Sequence, residues 1–70
     1  MTEVTAPMTG IVHQLNVTPG AAVAEGDGVV VLESMKMHIP VPAPRAGTVQ
    51  EIRVKEGDFV EEGAVLFVIG

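Results

Sequence analysis

The chain has no cysteine, no tryptophan and no tyrosine, and its only aromatic rings besides two histidines are two phenylalanines. Without cysteine there is no disulfide framework to staple a small fold and no thiolate and imidazole set spaced for zinc, so no metal is expected. Its 70 residues form one domain, residues 1–70, and a chain this short buries only about 60% of the surface that it exposes when unfolded. Stability must come from close packing of Val, Ile, Leu and Ala. So thin a core can hardly surround a catalytic cleft, which takes a pocket on the order of several hundred Å³ with several convergent polar groups. A protein that is not itself an enzyme is expected.

Positive charge is scarce as well. Four Lys and Arg stand against nine Asp and Glu, for a formal net charge of -5. Nucleic acid and anionic membranes are bound mainly through Lys and Arg, so neither is an expected partner, and other proteins are. The longest uninterrupted aliphatic run, Val29 to Leu32, is far below the roughly 20 residues that span a bilayer. No basic-then-apolar leader opens the sequence, and a soluble, cytoplasmic chain is expected, monomeric in isolation. Eight Gly and five Pro are spread along it, and nothing repeats at helical spacing, so essentially no helix is expected.

What the sequence does have is repetition. Residues 6 to 33 align with residues 43 to 70 at a displacement of 37. Ala6-Pro7 matches Ala43-Pro44, Gly10 matches Gly47, Val12 matches Val49, Val17 matches Val54 and Gly20 matches Gly57. Val23 then pairs with Val60, Glu25-Gly26 with Glu62-Gly63, and Val31 with Val68. Glycines and prolines that coincide in two copies mark places where the backbone turns. Between them the runs Gly10 to Val17, Gly28 to Leu32, Gly47 to Val54 and Ala64 to Ile69 have the length and β-branched content of strands. The alternation over Thr48 to Val54 is imperfect, which predicts a bulge there. Two halves, each too small to bury its own apolar face, must pack on one another, so the expected fold is all-β, a flattened β-sandwich of two antiparallel sheets with an approximate two-fold axis.

The stretch Ser34 to Pro42 belongs to neither copy and must contain the crossover between them. It has none of the Asn-Gly or Asp-Gly pairs that favour a two-residue hairpin. A reversal built from Met and Lys holds non-glycine residues at unfavourable φ, at a cost on the order of 1 to 3 kcal/mol, and such violations of local preference collect at functional sites. None of the nine acids lies between Ser34 and Gln50, whereas Lys36, His38 and Arg45 do, which predicts an acidic protein with one neutral-to-basic end. A lysine amine, once deprotonated, acylates readily, and its four-carbon stem extends the reach of whatever it carries.

Glu33-Ser34-Met35-Lys36-Met37 resembles the attachment motif of biotin carboxyl carrier domains, the biotinyl/lipoyl attachment family, in which a Met-Lys-Met at a hairpin tip receives biotin. Ala6-Pro7-Met8-Thr9-Gly10 resembles the opening segment of that family, Ala43 to Val49 its second-half counterpart, and Gly57-Asp58, Val60 and Glu62-Gly63 continue the pattern over nearly the whole chain. The resemblance implies a barrel-sandwich hybrid of two four-stranded sheets, without the thumb-like insertion of some relatives. It implies that Lys36 is biotinylated by a biotin protein ligase from biotinyl-adenylate, that Met35 and Met37 flank the cofactor site, and that Glu33 serves ligase recognition. It implies also that the carried group moves a carboxyl from a biotin carboxylase to a carboxyltransferase.

Other residues have plainer readings. His38 stands where an acidic or amide residue is common in the family and is read as an exposed bystander, and His13 as structural. Pro40, Pro42 and Pro44, spaced by two, predict a strand edge that cannot pair with another. Two other functions compete: a lipoyl carrier of a 2-oxo acid dehydrogenase, against which the Met pair speaks, and an unmodified β-domain that binds proteins. The first Met and the full second repeat fit a stand-alone carrier, though the C-terminal domain of a longer carboxylase subunit would read the same.

Overall fold

A computed structural model describes all 70 residues, and every regular element in it is a strand. They are β1 (Thr2–Thr5), β2 (Gly10–Leu15), β3 (Ala22–Val23), β4 (Gly28–Ser34), β5 (Met37–Pro42), β6 (Gly47–Ile52), β7 (Phe59–Val60) and β8 (Val65–Ile69). Two four-stranded antiparallel sheets result, ordered β1-β8-β6-β3 and β5-β4-β2-β7. This is the expected sandwich. The bounds of β2 and β3 advanced by 37 fall on those of β6 and β7, and the first residue of β4 falls on the first of β8, so each sheet carries the counterparts of the other's strands.

The halves interlock rather than stack as separate sheets. The two-residue strand β3 leaves its own half to pair with β6, and β7 pairs with β2. Turn amides follow the same exchange: Gly20 N–H donates to the Val49 carbonyl and Gly57 N–H to the Val12 carbonyl, both at 2.8 Å. Each half thus supplies acceptors that the other half's turns need, which satisfies backbone groups that would otherwise be left unpaired in the interior.

Two of the expected runs stop short, with β2 ending at Leu15 and β6 at Ile52, before Val17 and Val54. After Leu15 the chain stays tied to β4 through Asn16, whose backbone N–H donates to the Val29 carbonyl at 2.9 Å and whose Nδ2 donates to the Gly28 carbonyl at 2.8 Å, and Thr18-Pro19-Gly20 then turns it. The predicted bulge in the second half is present, as a register shift between Val49 and Glu51, and its counterpart lies between Val12 and Gln14. The core is a single cluster of small aliphatics closed by Phe67, with Val12, Val29, Val30, Leu32, Val49, Leu66 and Ile69 almost wholly buried. β5 is the edge of its sheet and presents Pro40 and Pro42, while Pro44 lies beyond the strand. No helix of the chain is long and apolar enough to cross a membrane.

Candidate functional site

The β4–β5 hairpin is closed by the pair Ser34 and Met37, leaving Met35 and Lys36 as its two-residue turn. Their φ angles are 52° and 67°. Positive φ at both central residues is what the right-handed twist of a tight hairpin demands. For non-glycine residues it costs roughly 1–2 kcal/mol each. The strain inferred from the missing Asn-Gly pair is therefore seen in the backbone.

The turn places both its side chains in water. Lys36 is exposed and its ammonium makes no hydrogen bond and no ion pair. Met35 is 92% exposed and Met37 63%, so neither fills a gap in the core. Leaving two thioethers in water forgoes the burial that Met normally contributes. Neither depression in the surface is lined by this hairpin: one lies around Glu3, Gln50 and Arg53, the other around Leu15, Val17 and Ala21.

The expected basic end does not assemble. Arg45 donates to Thr2 Oγ1 at 2.8 Å and to the Ile69 carbonyl at 3.3 Å, so its guanidinium is engaged by β1 and β8 of the other sheet. His38 faces Glu33 across the hairpin, with Nε2 and Oε2 3.7 Å apart. Of the two basic side chains, Lys36 and Arg45, Lys36 alone keeps a free cationic head. Glu33 sits in the arm of the hairpin, half exposed, three positions before Lys36.

His13, expected to be structural, lies on β2. It is exposed, and its ring stacks on that of His38 with centroids 4.0 Å apart and planes 21° from parallel. His38, expected to be an exposed bystander, is exposed and has both Glu33 and His13 beside it. Donor atoms of His13, Glu33 and His38 all lie within 4.8 Å of one another. Nothing in the spacing of these three residues signals the cluster. It arises from the strand order β5-β4-β2 and from the bulge that carries His13, neither of which can be read from the histidines themselves.

A protein-family model described as "Biotin-requiring enzyme" matches residues 1–69. The chain is 48% identical over 63 residues to the biotin/lipoyl attachment protein of Bacillus subtilis (strain 168), covering 90% of this chain and 86% of that protein. It is 42% identical over 66 residues to the mitochondrial methylcrotonoyl-CoA carboxylase subunit alpha of Arabidopsis thaliana, covering 94% of this chain but 9% of the subunit. Among solved structures, the Kluyveromyces lactis urea carboxylase superposes with a TM-score of 0.93 at 35% identity, over 99% of this chain and 6% of that one. The similarity is thus to one small part of each carboxylase and to most of the Bacillus protein.

Proposed function

The chain belongs to the biotin/lipoyl attachment family and is a biotin carboxyl carrier, and we propose that Lys36 is the residue that takes the biotin. The observation that carries this reading is the unpartnered, exposed amine of Lys36 on a turn whose backbone is strained to present it. In the attachment step the Lys36 Nζ, deprotonated by a base of the ligase, attacks the carbonyl carbon of biotinyl-adenylate. An amide bond forms, the acyl–phosphate bond breaks and AMP leaves. Nothing on this chain stands near Nζ to act as the base, so activation falls to the ligase.

Once attached, biotin supplies a ureido ring that can hold a carboxyl group between two active sites. What this chain contributes is position. The hairpin tip and the lysine stem carry the ring beyond the body of the sandwich, while Met35 and Met37 offer soft apolar contact to whichever protein receives it. Glu33 is read as a contact for the ligase, and the receiving proteins as a biotin carboxylase and a carboxyltransferase. The same reading takes the two halves as an internal repeat, supported by φ of 94° and 93° at Gly20 and Gly57, and locates the chain in the cytoplasm.

The test is coexpression with a biotin protein ligase and a lipoate ligase together, followed by intact mass and peptide mapping. One biotinyl group on Lys36 is expected. A lipoyl adduct, or biotin on Lys55 or the amino terminus instead, overturns the reading.

A further inference from the structure

Three strands of the outer β5-β4-β2 surface each contribute one side chain to the cluster of His38, Glu33 and His13. His38 and Glu33 are direct partners in register. His13 arrives by a different route. It lies inside the register shift between Val12 and Gln14, where the extra residue of a bulge leaves His13 and Gln14 both exposed. From there the His13 ring reaches over β4 to lie against His38.

None of the ring nitrogens is committed elsewhere. Neither histidine donates or accepts a hydrogen bond, and the one polar approach, His38 Nε2 to Glu33 Oε2, is 3.7 Å and too long to be one. Two imidazoles and a carboxylate are the donor set of borderline divalent ions such as Zn²⁺, whereas Ca²⁺ and Mg²⁺ take oxygen ligands. Donor atoms already within 4.8 Å of one another need to close to the roughly 3.3 Å that separates ligands of a tetrahedral Zn²⁺ with bonds of about 2 Å. Torsions of the three exposed side chains supply that movement, because the backbones beneath them are fixed by two ladders of hydrogen bonds. The formal net charge of -5 favours the approach of a cation.

We propose that His13, Glu33 and His38 form a Zn²⁺-type transition-metal site on the outer face of the sheet, one ladder pair below the pair that closes the Lys36 turn. Three protein ligands leave a fourth position for water, and the bound ion ties β2 to both arms of the hairpin. The proposal stands on the cluster alone and does not depend on what Lys36 carries.

The chain has only two histidines, so each gives its own set of imidazole resonances and the test can be read by residue. The full chain is titrated with Zn²⁺ and, in parallel, Mg²⁺, in a buffer that does not chelate, with calorimetry and NMR as readouts. One Zn²⁺ per chain is expected, shifting both imidazoles, while Mg²⁺ shifts neither. His13→Ala, His38→Ala and Glu33→Gln should each weaken Zn²⁺ by more than the roughly tenfold that losing even an outer-shell partner costs, with unchanged circular dichroism. Zn²⁺ that shifts neither ring, or binds the three variants as tightly as the parent chain, sinks the proposal.

Discussion

Six residues of this chain adopt positive φ, and they fall into two kinds. Gly20, Gly26, Gly57 and Gly63 do so in the turns of the sandwich, whereas Met35 and Lys36 do so at the hairpin tip. At the four glycines there is open space where a Cβ would stand, so glycine is there for its backbone and not for want of room. Their amides are also put to use, as when Gly57 N–H donates to the Val12 carbonyl. At the tip the order of priorities is reversed. The backbone accepts strain, and the two side chains, which meet no core residue, are what the turn exists to hold out.

The largest effect expected from that contrast is on modification. Lys36→Arg should take up no biotin, because a guanidinium stays protonated and is a poor nucleophile, and its thermal melt should match that of the parent chain. Lys55→Arg, in a turn where the backbone amide of residue 55 is held by Asp58 Oδ2, should label fully. Intact mass reads both, and a labelled Lys36→Arg chain would show that the tip does not carry the site.

Next come the scaffold positions, where only stability should change. A Cβ on Gly10 would stand 2.7 Å from the Glu33 carbonyl oxygen, which belongs to β4 and cannot swing aside. Gly10→Ala should therefore lose about 2–3 kcal/mol through forced separation of the strands. Gly57→Val meets no obstacle but places a β-branched residue at φ 93°, and should lose about 2 kcal/mol. With no Trp or Tyr to report on folding, calorimetry or circular dichroism is the measurement, and each kcal/mol should move the melting temperature by about 4–8 °C. A Gly57→Val chain as stable as its parent would break the comparison, since its turn would then tolerate what the tip tolerates.

These expectations also mark what the sequence makes legible. Glycines 20 and 57 coincide between the copies, and the β-branched runs beside them have strand length, so the sandwich and its turns could be read directly. Lys36 stood out twice, by the absence of a turn-forming pair and by the motif around it. The exchange of β3 and β7 between sheets could not be read, because two residues are too few to show an alternation. Arg45 looked like a neighbour of Lys36 in sequence, yet its guanidinium goes to Thr2 and Ile69, a contact set by tertiary packing. His13 met His38 for the same reason, across a strand and through a bulge.

The smallest effect tests the strain itself. Replacing Met35 by Asn and Lys36 by Gly installs the pair that two-residue hairpins of this twist prefer. If Met and Lys pay a conformational penalty there, the double variant should be more stable than the parent by about 1 kcal/mol, less than the penalty per residue summed over both because Asn keeps some of it. It should carry no biotin at all. The single variant Met35→Asn separates the two consequences: it should gain a fraction of that stability and still be labelled, since Nζ of Lys36 is untouched. A double variant no more stable than the parent would mean that the tip is not strained. The turn would then be an ordinary hairpin, and the exposure of Lys36 would owe nothing to its backbone.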